Sequence, residues 1–310
     1  MSHYESVKDV RVWRGMFVKD LVRLYGDIHG FTAADVQKAS EVLSEGIKKA
    51  DLRFLSFTGN LIATGLRGVI AQLIEEGFFN VVITTCGALD HDIARSAGGA
   101  YLKGVLDADD VRLEERGIHR LGNVFIPRNS YGPLIEAFAR DLVRRASSLK
   151  EEWGVRELIA LAGESLRNDP NSVVGVASRK GVPVYVPGIV DGALGTHLFI
   201  HSQFTDFKLN LLKDMKELSD MVFQSRVSLA LVLGGGISKH HTIWWNQFKE
   251  GLDYAVYVTT AVEWDGSLSG ARSKEAISWG KIKPNAKHVT VYGDATLILP
   301  ILATYMIETV

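Results

Sequence analysis

Residues 275–282 read EAISWGKI and close a glycine-rich, acid-bearing stretch, DGSLSGARSKE, at 265–275. Lys281 follows a Trp-Gly pair there. A lysine amine, with an ordinary pKa of ~10.4, becomes a nucleophile at neutral pH only where desolvation or nearby positive charge disfavours the ammonium. Trp279 is a neighbour that can wall off water. The same residues are also satisfied by a helix that ends at Gly280 and releases its next lysine into solvent. His240 and His241 follow a triple glycine in LGGGISKHH (233–241), and imidazole titrates near neutrality. Asp90, His91 and Asp92 in TTCGALDHD (84–92) mix carboxylate with imidazole, as metal sites do. Neither they nor His197 and His201 in THLFIHS form H-E-x-x-H or another ligand spacing, so no metal is expected. Asp90 and Asp92 equally suit a helix start, and Cys86 reads as a small buried filler.

These residues sit in loops, and the loops follow apolar runs. The strand candidates are LRFLSF (52–57), NVVITT (80–85), NVFI (123–126), VPVYV (182–186), LALVLG (229–234), YAVYVTT (254–260) and HVTVYG (288–293). Helix-period stretches alternate with them, among them AADVQKASEVLSEGIKKA, ATGLRGVIAQLIEEG and YGPLIEAFARDLVRRASSL. This alternation predicts an α/β fold: a Rossmann-like, mostly parallel sheet with helices on both faces, in a single large domain. The segment from about 86 to 130 and the stretch SQFTDFKLNLLKDMKELSDMVFQ read as excursions on it. Ligands of such sheets bind at the carboxyl ends of the strands. TGNLIATG (58–65), TTCGALDHD, LGGGISKHH, TTAVEWDGS (259–267) and GDAT (293–296) all fall there. None is G-x-G-x-x-G, and glycine after a buried strand is also an ordinary turn. Five such loops on one edge point to a nucleotide site.

The composition narrows the partners. With 310 residues and 46% hydrophobic content the chain can bury a large core. Its 35 basic and 36 acidic residues nearly cancel and form no basic block, so neither nucleic acid nor an anionic membrane is expected as a partner. One cysteine excludes an internal disulfide and suits a reducing, cytoplasmic setting. MSHYESVKDVRVWRGM lacks the apolar core of a signal peptide. The tail ATLILPILATYMI is too short and proline-interrupted for a membrane span and reads as a buried helix. There is no internal repeat, low-complexity tract or flexible linker.

Taken together, the loops resemble those of the deoxyhypusine synthase family. The similarity runs from about Phe54 to the C-terminus, through NLIATG, VVITTCGALDHDIA, HRLGNVFIPRNSY, GVPVYVPGIVDGALG, LGGGISKHH, DYAVYVTTAVEWDGSLSGAR, EAISWGKI and VYGDATLILP. The resemblance implies NAD and a polyamine, normally spermidine. Its 4-aminobutyl group would pass first to an enzyme lysine and then to a lysine of the precursor of translation factor 5A. The residue matching the nucleophile is Lys281, and His240 matches the base. For NAD the resemblance points to Asn60, Thr85, Cys86, Gly87, Asp191, Gly235, Thr260, Ala261, Asp294 and Ala295. For the amine it points to Glu275, with Asp90, His91, Gly266, Ser267 and Trp279. It also implies a homotetramer with each active site built between two subunits. Residues 1–50 then read as an N-terminal helical segment and 51–310 as the NAD-binding α/β catalytic domain.

The departures concern the amine. His91, Thr196 and Leu268 stand where relatives place acids, and Gly59 and Ala63 replace two serines near the NAD site. The lysine chemistry is therefore better supported than spermidine itself, and a longer polyamine or agmatine stays open as donor. The compact length and the LDHD loop look archaeal. The rival readings are a homospermidine synthase, a metal-dependent hydrolase using Asp90, His91 and Asp92, and a non-catalytic nucleotide-binding scaffold.

Overall fold

The computed structural model describes residues 5–310; the first four residues of the N-terminal segment lie outside it. Six strands form the main sheet: Leu52–Phe57 (β1), Val81–Ile83 (β2), Val184–Tyr185 (β3), Ser228–Leu233 (β4), Leu252–Thr259 (β5) and Ile282–Tyr292 (β6). Their order is β6-β5-β4-β1-β2-β3. The chain divides into two compact units, one running to Leu55 and resuming at Val222, the other Ser56–Met221.

In the first unit, β5 pairs in parallel with β4 (Tyr254 with Leu229, Val258 with Leu233) and with β6 (Val256 with Val289, Thr259 with Tyr292). Every residue of β4 is buried, as expected of a parallel strand covered on both sides. Alternation along β5 shows both covers. The hydroxyl of Tyr254 donates to Glu45 of the helix Ala33–Lys49, whereas the Tyr257 ring, three residues on and so on the other face, lies beneath Lys239 of the helix Gly236–Gln247. The helices Val18–Ile28 and Ala295–Thr309 pack on Ala33–Lys49. The apolar tail is thus a helix, with Leu299, Leu302 and Met306 fully buried and Leu297 exposed. Among the described residues no helix is long and apolar enough to cross a membrane.

In the second unit, β2 and β3 are parallel (Val82 with Val184) and short. NVFI belongs to neither. It lies in Val124–Pro127, the middle strand of a three-stranded antiparallel sheet with Leu102–Lys103 and Ile118–Leu121. Leu121 pairs with Val124 across a two-residue turn in which Gly122 has φ 58°, so the local hairpin turn dictates the pairing.

Candidate active site

Lys281 immediately precedes β6 and is 7% exposed. The short helix Glu275–Ser278 ends just before it, Gly280 turns at φ 66°, and the Lys281 amide donates to Ala276. The turn carries the lysine back into the fold. Its Nζ lies 5.2 Å from the ring centre of Trp279 and 5.7 Å from that of Trp244. Trp279 is 66% exposed, so it forms one wall and does not seal the site. The side chain borders a cavity of about 150 Å³ shared with Lys239, Tyr257, Leu268, Glu275 and Trp279.

Lys239 is more deeply buried. Its Nζ donates to the carbonyls of Leu268 and Ala271, each at 2.7 Å, and lies 4.3 Å from the Tyr257 ring centre. Burial pulls its ammonium down to about 8, against the opposing pull of Glu275. The Tyr257 hydroxyl is buried in the same cavity without a protein hydrogen-bond partner. His240, one residue on, stacks on Trp244 with ring centres 5.5 Å apart. Burial, and then the charge of Lys281, lower its pKa, so the imidazole is held toward its neutral, proton-accepting form. His241 points elsewhere: its Nε2 accepts from Trp245, and burial takes it down to about 4.

The remaining expected residues of this unit lie in loops. Gly235 precedes the helix Gly236–Gln247, whose first turn has no side-chain cap, and nothing lies within 4 Å of where a side chain would start at Gly236. The Ala261 amide donates to Thr259 beside exposed Thr260. Gly266 and Ser267 lie in an exposed turn held by Asp265. Asp294 caps the helix beginning at Ala295, accepting from the Thr296 amide and hydroxyl.

In the other unit, the loop after β2 opens into the helix Cys86–Ser96 with Thr85 before it and no side-chain cap. A β-carbon at Gly87 would meet only the Thr85 Oγ1, at 3.9 Å. Asn60 is exposed and its side-chain oxygen accepts from Thr58. Asp191 is exposed in the loop before the helix Ala193–Ser202. The Cys86 thiol is buried, and burial together with Asp90 pushes it up to about 12, so it is an inert thiol. A β-carbon at Gly59 would lie 2.7 Å from the backbone of Gly87 and Ala88, so the two loops touch and a side chain at 59 would have to push them apart.

Asp90, His91 and Asp92 do not converge. Asp90 accepts from the amides of Ala193 (2.9 Å) and Leu194 (2.8 Å) and from the Tyr131 hydroxyl, and burial raises its pKa against those donors. His91 meets the Tyr101 hydroxyl at 2.8 Å and is lowered to about 4 by burial, then by Arg95. Asp92 accepts from Arg67, Ser172, Val173 and Val174. Among the described residues no group of three or more His, Cys, Asp or Glu side chains is arranged to hold a metal. Thr196, exposed, donates its hydroxyl to Gly192.

Sequence reasoning passed over Tyr257 and Trp244, and it marks Lys239 as the rival nucleophile to Lys281. The signal was there: in SKHHTIWW, residues 240 and 244 are four apart and share a helix face.

Comparison with known proteins agrees with this geometry. The model of the family described as deoxyhypusine synthase matches residues 20–306. A protein of Aeropyrum pernix named "Probable deoxyhypusine synthase" is 58% identical over 301 residues, 96% of this chain and 97% of the relative. One of the same name from Sulfurisphaera tokodaii is 54% identical over 303 residues, 98% and 97% of the two chains. Among solved structures, an Entamoeba histolytica protein with the same family assignment superposes with a TM-score of 0.64 at 19% identity, covering 95% of this chain and 94% of that one. AgrE, solved with ornithine and NAD+, gives 0.52 at 17% identity, covering 96% of this chain and 34% of its own. These last two are likenesses of fold. The family match and the archaeal relatives span nearly the whole sequence, Lys281 and its cavity included, and the chain belongs to the deoxyhypusine synthase family of enzymes.

Proposed function

We propose that this enzyme transfers the 4-aminobutyl group of spermidine, through an imine at Lys281, to a lysine of the translation factor 5A precursor, with NAD as hydride carrier. One observation carries the reading: a buried lysine at a cavity bordered by the Glu275 carboxylate and the Trp279 indole, with Trp244 facing the same nitrogen and His240 stacked on Trp244. For NAD, the uncapped helix starts at Cys86 and Gly236, with room at Gly236 and only an ordinary 3.9 Å contact at Gly87, suit phosphate and ribose oxygens. The proposed NAD contacts are Asn60, Thr85, Cys86, Gly87, Asp191, Gly235, Thr260, Ala261, Asp294 and Ala295. When bound, NAD would accept a hydride from the carbon beside the donor's secondary nitrogen and later return it.

His240 takes the proton of that nitrogen, a task its lowered pKa suits. The Lys281 amine then adds to the imine carbon. The bond to the aminopropyl nitrogen breaks, and 1,3-diaminopropane leaves with the proton that Lys281 gives up. The acceptor lysine repeats the exchange and frees Lys281. Glu275 lines the cavity and holds the far ammonium, and Gly266 and Ser267, in the exposed turn just before Leu268, are the further proposed amine contacts. Trp279 shields the reacting nitrogen. Asp90 and His91 contribute to amine binding through the helix start and tyrosines they hold. The enzyme works in the cytoplasm as a homotetramer, and residues 51–310 are its catalytic portion.

The test is incubation with NAD, radiolabelled spermidine and the factor precursor. Label on a precursor lysine supports the reading. Label passing only to putrescine would identify a homospermidine synthase, and no transfer from spermidine, agmatine or a longer polyamine would refute aminobutyl-type chemistry.

A further inference from the structure

The helix Gly236–Gln247 presents His240 and Trp244 one turn apart. Their rings lie 27° from parallel, and the far edge of Trp244 is fixed by Phe248, perpendicular at 87° and 5.7 Å. The Trp244 face is thus held, and Lys281 Nζ lies 5.7 Å from its centre. Among the described residues Lys281 has no carboxylate within salt-bridge distance; the groups around its nitrogen are the π faces of Trp244 and Trp279. Lys239, in the same cavity, is held by carbonyls instead.

Resting on the function proposed above, we propose that Trp244 is the positioning residue that stabilises the cationic covalent intermediate on Lys281. After exchange, the Nζ atom carries a protonated imine, a planar cation whose charge spreads over nitrogen and carbon. A carboxylate beside it would take the proton and quench the electrophile. An indole face stabilises the charge without a lone pair basic enough to do so, and within about 6 Å its quadrupole is still effective. Trp279, two-thirds exposed, gives a weaker version of the same contact. Trp244 therefore favours the iminium over the free amine.

The test separates this contact from the rest of the reaction. Wild type, Trp244→Phe and Trp244→Leu are incubated with butanal and cyanoborohydride, without NAD or polyamine. Amine and aldehyde give the imine and water, and the reagent's hydride reduces it to a secondary amine. Mass spectrometry then compares the Lys281 adduct with that on exposed Lys180. Trp244→Leu should lower the Lys281 to Lys180 ratio by about two- to thirty-fold, the range for losing one cation–π contact, while Trp244→Phe keeps most of it. An unchanged ratio in Trp244→Leu overturns the proposal. So does an equal fall in Trp244→Phe, since bulk and not the π face would then matter. A second arm uses NAD and spermidine with borohydride. If wild type gives no Lys281 adduct there while the butanal arm depends on the ring, the proposed function fails and the role of Trp244 stands. If wild type and Trp244→Leu trap equally in both arms, the reverse holds.

Discussion

Replacing Asp92 by alanine should unfold the enzyme well before it affects any chemistry, and the structure fixes the size of the loss. Arg67 is 4% exposed and Asp92 1%. Arg67 Nε donates to Asp92 Oδ1 at 2.6 Å, and its Nη2 donates to Asp169 at 2.7 Å and to Ser96 at 2.6 Å. The other donors to Asp92 are Ser172 and the amides of Val173 and Val174, in the first turn of the helix Val173–Lys180. Removing the carboxylate leaves a buried guanidinium with one remaining acid and a helix start with two unsatisfied amides. Breaking one side of a buried pair costs about 3–5 kcal/mol. Asp169, still in place and 24% exposed, offsets part of the charge, which puts the expectation near 4 kcal/mol. At roughly 2 °C per kcal/mol for a chain of this length, Tm should fall by about 8 °C. The assay is thermal and urea unfolding at fixed protein concentration for Asp92→Ala, Arg67→Met and the double variant. The double variant should cost less than the sum, because the apolar side chain no longer needs a partner. A loss under 1 kcal/mol in Asp92→Ala, or strict additivity, would refute the buried-network account.

Lys281→Ala and Lys281→Arg should both abolish transfer while leaving NAD binding nearly intact, since a guanidinium cannot form the imine; labelled-donor transfer and fluorescence titration with NAD report the two separately. Gly59→Ser should lower stability by about 1–3 kcal/mol, because its β-carbon meets the Gly87–Ala88 backbone at 2.7 Å, and a Tm equal to wild type would show that the loop yields freely. Lys239 sits at about 8 when folded against an ordinary 10.5, so between those values the unfolded chain binds more protons and stability must rise with pH, by up to about 3 kcal/mol. Lys239→Met should remove that rise; urea midpoints at the two ends of the window that show no slope in wild type would contradict it. Leu268→Asp should lower the Michaelis constant for spermidine, and Glu275→Gln should raise it, both read from NADH formation across a spermidine titration.

The parts of this molecule legible in the sequence are those where one local rule decides. LRFLSF forms a strand over its full predicted span, 52–57, and the strand predicted from LALVLG spans 228–233, because short, largely apolar runs closed within two residues by glycine have few other uses. NVFI was equally apolar but lies between turn signals, and Gly122–Asn123 ties it into a local hairpin before it can join a distant parallel partner. Asp90 and Asp92 were read as carboxylates at a helix start. The chemistry is right and the helix is wrong: both sit inside Cys86–Ser96 and cap Ala193–Ser202 and Val173–Lys180, some 80 to 100 residues further on. Periodicity carries no information about such distant partners. Arg67, on which that network turns, had no signal at all.

The cavity beside Lys281 can change its charge at 268 and keep its shape. The loop that forms its wall, residues 262–273, is fixed almost entirely through main-chain groups. Lys239 holds the carbonyls of Leu268 and Ala271, Thr259 donates to the carbonyl of Ser269, Gly270 donates to the carbonyl of Ser267, and the Ser273 amide donates to Thr290. Arg272 pairs with Glu263 across the loop's ends. None of these bonds uses the side chain at 268. Exchange of an acid for leucine there changes the cavity's charge without moving its wall, whereas a change at Lys239 would release two buried carbonyls and the wall with them. The shape of the cavity wall and the charge at position 268 are thus set by different atoms. Under the proposed function, a charge introduced at 268 should therefore change the affinity for the amine donor while the geometry around Lys281 stays in place.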